Sequence, residues 1–147
     1  MTLLLLLVLL AGTFGLLTLT RRMTVKRRGQ ISLAVLFLFT GLGHFVQTTE
    51  MAEMLPPFVP LRVPLVLLSG LFEWLLAIGL LIPRFARMAG MAAIAFLILV
   101  FPGNIYAAMH RVDFGGHGAG PVYLLVRAPF QLLLIAWAYW FAVRRRG

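Results

Sequence analysis

The sequence of 147 residues contains no cysteine and few charged residues. Without cysteine the chain has no disulfide, thiolate nucleophile, iron–sulfur cluster or cysteine-ligated zinc site. Charged residues make up 12% of the chain, whereas a soluble domain has about 25%. Apolar residues make up 62%, against about 45–50% in a soluble domain. A chain this short leaves much of its surface exposed, so a larger core could not bury the additional apolar residues. These proportions exclude an ordinary soluble domain and predict an integral membrane protein.

The apolar residues are concentrated in five continuous runs. Each run is close to the ~20 residues that a helix needs to cross a bilayer. The runs do not alternate as the strands of a membrane barrel do, and a spanning backbone must satisfy its own hydrogen bonds, so helices are predicted. We expect a single all-α membrane domain with spans at 2–20, 31–48, 63–83, 88–109 and 122–143. The last four are expected to form a four-helix bundle over 31–143, with one extra N-terminal transmembrane helix outside it.

Acidic residues are also scarce: there are 4, against 13 Lys and Arg, for a net charge of +9. In a soluble protein this excess of positive charge would suggest binding to nucleic acid. Between apolar spans it is better explained as a signal that sets the membrane topology, so no nucleic-acid partner is expected. No Lys or Arg precedes the first run and five follow it, which argues against a cleaved signal peptide. Segments 21–30, 84–87 and 144–147 carry five, two and three cations, whereas the other two loops carry only Arg62 and Arg111. The positive-inside rule then predicts an N-out/C-in protein of the cell (inner) membrane.

Several polar residues lie within the predicted spans, where burying them is costly, so they are candidates for function. Glu73 lies ten residues into the third run, about 15 Å deep, and Arg127 lies about 8 Å deep in the fifth. Helical spacing places such residues on one face of each helix. We therefore predict a polar pocket that opens outward between the last four helices. Its candidate ligand-binding residues are His44, Glu73, Asn104, Arg127 and Gln131.

Each candidate also has a structural interpretation. Glu73 and Arg127 are alternatively a simple ion pair, His44 a hydrogen-bonded link between two helices, and Asn104 and Gln131 polar contacts between helices. Pro102 and Gly103 predict a kinked or broken fourth helix, because proline removes one helical hydrogen bond. Such breaks occur where a helix lines a cavity.

No metal site is expected. Two of the three histidines, His110 and His117, lie in a predicted loop, and no credible set of four zinc ligands is present. His44 is the only histidine well inside a span, so a haem with two histidine ligands is not expected either.

The order of these landmarks resembles the DoxX family of small four-helix membrane proteins. The matching segments are Gly41–Phe45, Pro56–Pro60, Ser69–Glu73, Gly79–Arg84, Phe101–Tyr106 and Arg127–Trp137. The resemblance covers about residues 30 to 143. It implies a subunit linked to quinone chemistry, with a membrane or thiol-redox protein as partner.

Three functions follow as hypotheses. The first is a redox-associated subunit that binds a small ligand such as a quinone. Whether the chain is an enzyme stays open at this point. Because the sequence has no motif for an electron carrier, an isolated enzyme is the less favoured interpretation. The second is a carrier for a small solute or lipid. The third is a membrane scaffold or assembly factor, in which the polar residues only lock the helices together. The lipid bilayer is the expected environment, and a homo-oligomer is compatible with each hypothesis.

Overall fold

The computed structural model describes residues 2–114 and 116–145. Arg146, one of the cations used above to predict the topology, lies outside the described residues. The chain is 80% helix, with no strand among the described residues, which confirms the all-α prediction. The helices are α1 (Thr2–Thr18), α2 (Val25–Val46), α3 (Thr48–Ala52), α4 (Arg62–Leu81), α5 (Ala86–Met109) and α6 (Leu124–Ala138). Two short 3-10 turns precede α6, and a π-helical segment, Tyr139–Val143, continues it.

Four helical segments are long and apolar enough to cross a membrane: α2, α4, α5 and Pro121–Val143. Five crossings were predicted, but α1 has 17 residues and is shorter than these four. α2 begins at Val25 rather than at residue 31, because the Thr24 hydroxyl accepts a hydrogen bond from the Arg27 amide at 3.2 Å and caps the helix. Hydropathy misses this first part of α2 because it is basic.

Helices α2 and α4 pack closely because glycines face each other at their contact. A Cβ on Gly70 would lie 2.6 Å from the His44 Cβ and 3.0 Å from the Gly41 carbonyl oxygen. A Cβ on Gly41 would collide with the Trp74 ring at 2.5 Å. Small residues at such crossings allow helix backbones to approach each other. This approach brings the polar faces of the two helices together.

Helix α1 belongs to the hydrophobic core, contrary to the expectation that it packs outside the other helices. Leu3, Leu6 and Leu10 are buried and join the core cluster. Near the other end of α1, the Phe14 ring meets the Trp137 ring edge-on, with centroids 5.5 Å apart. The apolar pattern of this run has no polar face, so the buried side of α1 could not be predicted from it.

Basic side chains tie several helix ends together at one end of the molecule. The Arg27 guanidinium donates to the Leu80 carbonyl at 3.0 Å and also to that of Leu81, the last residues of α4. Arg87 donates to the Val143 carbonyl at 3.3 Å. Carbonyls at a helix end lack partners within the helix and carry partial negative charge, so cations stabilise them. We call this region, formed by residues 21–28, 80–87 and 143–145, the basic end.

Candidate functional site

A cavity of about 720 Å³ lies between the helices at the end opposite the basic end. Its wall is mostly apolar and includes Leu3, Leu5 and Leu6 of α1, which places the start of α1 at this end of the molecule. Four of the five predicted ligand-binding residues line it, whereas Gln131 does not. Its polar lining residues are Thr40, His44, Gln47, Ser69, Glu73, Asn104, His117, Tyr123 and Arg127.

The buried Glu73 carboxyl group lies between two side chains of α2. One of its oxygens is 2.7 Å from the Thr40 hydroxyl and the other is 3.4 Å from His44 Nε2. His44 Nδ1 lies 3.0 Å from the Val66 carbonyl oxygen on α4. Thr40 is one turn before His44 on α2, which is why both side chains reach the same carboxyl group.

These contacts determine how protons are distributed between His44 and Glu73. A carbonyl oxygen only accepts, so His44 Nδ1 must carry a proton and donate it to Val66. The facing atoms, His44 Nε2 and the Glu73 oxygen, then need one further proton between them, because two bare acceptors repel. That proton makes either an imidazolium beside a carboxylate or a neutral imidazole beside a carboxylic acid. The pair has zero net charge in both forms.

Arg127 does not form the ion pair with Glu73 that the sequence offered as an alternative interpretation. Among the described residues, the one ion pair within 4 Å is His44–Glu73. The Arg127 Nε atom is buried without a hydrogen-bond partner in the described part of the chain. Its guanidinium lies next to the Tyr123 hydroxyl and 5.6 Å from the Phe130 ring centroid. Arg127 therefore brings a positive charge to the cavity wall that no neighbouring carboxylate contacts.

His117 is a site residue that the sequence interpretation placed in a loop and not among the candidate ligand-binding residues. It is buried, and its Nδ1 lies 2.7 Å from the Phe114 carbonyl oxygen while Nε2 lies 3.1 Å from the Asn104 side-chain oxygen. Burial holds the pKa of His117 below its usual value of 6.5; the Phe114 carbonyl opposes this shift and the Arg127 charge adds to it. The sequence signal was weak, because a position in a predicted loop does not indicate that the side chain is buried.

Gln131 and Pro102, the proline within α5, do not line the cavity. The Gln131 amide donates to the Leu97 carbonyl, which links α6 to α5. The sequence predicted a kink or a break in this helix at Pro102 and Gly103. Helix α5 runs through both residues without interruption, so there is no break. A proline removes a single N–H, and the turns on either side keep their own hydrogen bonds. Gly103 still lines the cavity.

No group of three or more His, Asp or Glu side chains among the described residues is arranged to hold a metal ion. The acidic side chains other than Glu73, namely Glu50, Glu53 and Asp113, do not line the cavity. The polar side chains that line the cavity are hydrogen-bond donors and acceptors.

The fold and cavity define an all-helical protein whose four long apolar helices indicate a membrane protein. The chain belongs to the DUF8561 family, a domain of unknown function, whose family model matches residues 33–142. The resemblance to DoxX is therefore wrong: no DoxX match was found. Its motifs are short combinations of glycine, proline and single polar residues, which different families of closely packed membrane helices can share. No curated protein and no solved structure matches the chain.

Proposed function

We propose that this protein binds a small amphipathic molecule within the membrane, with the head group against the polar cluster of the cavity and the tail along its apolar wall. The observation that carries the proposal is the Arg127 guanidinium, which has no carboxylate partner within 4 Å in the described part of the chain and whose buried Nε has no hydrogen bond there, at the wall of a cavity of about 720 Å³. Small-molecule sites typically have roughly 300–1,000 Å³, a mostly apolar wall and a few convergent polar groups. The Arg127 and Tyr123 side chains offer donors to a head group that accepts hydrogen bonds.

The four long helices form the bundle in this proposal, with α1 against them and the cavity opening outward. The basic end faces the cytoplasm and the cavity end faces outside, in an N-out/C-in arrangement in the cell membrane. The distribution of charge supports this orientation, since nine Lys and Arg residues lie in segments 21–28, 84–87 and 144–145. Those segments contain no acidic residue.

A quinone is one ligand that fits these requirements, because its two carbonyl oxygens accept hydrogen bonds and its tail is apolar. The chain offers proton carriers in His44 and Glu73 but no cysteine for thiol redox chemistry. A redox role would therefore need a separate electron donor. We accordingly propose a binding or carrier protein, with a quinone-linked accessory subunit as one form of it.

Native mass spectrometry of the gently purified protein, with extraction of bound small molecules, tests the proposal. We expect a bound amphipathic molecule at one copy per chain, lost or strongly reduced in Arg127→Gln. Arg84→Gln is the matched control, because Arg84 is exposed and lies at the basic end. An empty wild-type protein that no amphipathic compound stabilises against heat would overturn the proposal and favour a scaffold role.

A further inference from the structure

The balance of charge around the cavity restricts the ligand further. Among the described residues that line it, Glu73 is the one acidic side chain and Arg127 the one Lys or Arg. A simple count would let these two charges cancel. The contacts give a different result, because the Glu73 carboxyl group lies against His44 and Thr40 rather than against Arg127.

The Glu73–His44 pair is neutral as a unit. The Val66 carbonyl fixes the first proton on His44, and the second proton lies between His44 and Glu73. The imidazolium–carboxylate form and the imidazole–carboxylic acid form have the same net charge, so neither leaves a negative charge for Arg127. The pair behaves as a dipole at that wall of the cavity.

The other titratable residues of the cavity do not compensate Arg127 either. A histidine is either neutral or positively charged, so His117 adds no negative charge in either state. Burial and the Arg127 charge lower its pKa. Tyr123, whose hydroxyl lies next to the guanidinium, is an uncharged phenol at pH 7. An arginine keeps its charge in proteins. The cavity therefore has a net positive charge, carried by Arg127.

We propose that the ligand is an amphiphile with a single negative charge on its head group, such as a long-chain carboxylate. This inference rests on the proposed function and names the ligand class for the same cavity. A carboxylate would accept two hydrogen bonds from the Arg127 guanidinium, a geometry that gives both affinity and orientation. The Tyr123 hydroxyl is positioned to donate a further bond. The apolar chain would lie along the wall formed by α1 and by apolar residues such as Phe96 and Leu99.

The test compares oleate with oleyl alcohol, which has the same chain and no charge, and with a short-tailed ubiquinone analogue. Binding is measured on the full-length protein in a nonionic detergent at pH 8, by the concentration dependence of thermal stabilisation. Wild-type protein should bind oleate about tenfold or more tightly than the alcohol, because a charge-assisted pair is lost. Arg127→Gln should bind the two compounds equally, and Arg127→Lys should keep part of the preference.

The outcomes separate the two levels of the proposal. Equal binding of oleate and oleyl alcohol by wild-type protein, or tighter binding of the quinone analogue, overturns the inference while the proposed function stands. If none of the three compounds stabilises the wild-type protein, both fail. The comparison of ligands on wild-type protein remains decisive if Arg127→Gln does not fold.

One further arm distinguishes a free carboxylate from a membrane lipid as the source of the charge. Mixed micelles with phosphatidylglycerol are compared with micelles that contain phosphatidylcholine. Displacement of oleate by phosphatidylglycerol alone would support the anionic head group and assign it to a lipid. Equal displacement by both lipids would contradict the inference, because phosphatidylcholine has no net charge.

Discussion

Glu73 and His44 provide the first prediction at the scale of single residues, because their contacts depend on one shared proton. A glutamine at position 73 satisfies the same contacts: its amide nitrogen donates to His44 Nε2, while its oxygen accepts from Thr40. Glu73→Gln should therefore change the free energy of unfolding by less than about 0.5 kcal/mol. Glu73→Ala leaves His44 Nε2 without a partner and should destabilise by about 1–3 kcal/mol. Unfolding in mixed micelles measures both.

A double-mutant cycle checks the cause of this effect. If the two side chains interact as described, the loss in Glu73→Ala should be smaller in a His44→Ala background, with a coupling energy of about 0.5–3 kcal/mol. Ser69→Ala is a suitable control, since Ser69 also lines the cavity but donates to the Leu65 carbonyl of its own helix. A coupling energy near zero would show that the proton is not shared.

His117 leads to a prediction about pH. Its pKa is lower in the folded protein than the usual value of 6.5, because burial and then the Arg127 charge disfavour the imidazolium. The unfolded chain therefore takes up this proton first as the pH falls. The stabilisation that His117 provides is present above about pH 6.5 and is lost as the pH falls through the lower folded value.

Melting temperature measured from pH 8 to pH 5 reveals this dependence. Wild-type protein should become less stable below about pH 6.5, and His117→Gln should show a smaller decrease. His110→Gln is the control, because His110 is exposed. Equal decreases in wild type and His117→Gln would mean that another group causes the loss.

Single polar residues could be placed in the cavity from the sequence, but their partners could not. Polarity within an apolar run identified His44, Glu73, Asn104 and Arg127, and all four line the cavity. Whether Glu73 contacts Arg127 or His44 depends on the rotation and separation of helices, which a sequence pattern does not contain. His117 was missed for a related reason: a loop residue is buried only by the way that the loop folds back.

At the scale of helices, the contact between α2 and α4 determines the geometry of the polar cluster. Gly70→Ala would place a methyl group 2.6 Å from the His44 Cβ, against a neighbouring backbone 3.0 Å away. We expect a loss of stability of about 1–3 kcal/mol, together with weaker ligand binding, because His44 and Val66 must move apart. Thermal unfolding and the oleate titration measure the two effects.

Gly12→Ala in α1 is the matched control, because a Cβ there would meet nothing within 4 Å. It should be neutral or stabilise the protein by up to about 1 kcal/mol, since alanine favours the helix. If Gly70→Ala behaves like Gly12→Ala, the close approach of α2 and α4 does not determine the site.

The existence of the long helices was predictable because each needs a continuous apolar run, but their ends were less so. Capping by Thr24 extends α2 by six residues into a basic segment, from the expected residue 31 to Val25. Helix α1 met the apolar criterion over residues 2–20 but ends at Thr18. The packing of α1 was not predictable either, because a run of leucines has no polar side to indicate which face contacts α2.

At the scale of the whole molecule, the two ends differ strongly in charge, and the topology prediction depends on this difference. The basic end contains no acidic residue among those described, whereas Glu50, Glu53 and Asp113 lie beyond the spans at the cavity end. Cations are retained on the cytoplasmic side during insertion. The 116–119 loop should therefore face outside, and residues 84–87 should face the cytoplasm.

The absence of native cysteine makes this orientation directly measurable, because each introduced thiol is the only one in the chain. Gly118→Cys and Arg84→Cys are both at exposed positions, at the cavity end and the basic end respectively. A membrane-impermeant maleimide should label Gly118→Cys in intact cells and Arg84→Cys only after permeabilisation. Because Leu3 lines the cavity, a tag on the N-terminus should be accessible from the same side as Gly118→Cys. Reversed labelling would place the cavity at the cytoplasmic face, and the ligand would then have to enter from the cytoplasm or the inner leaflet.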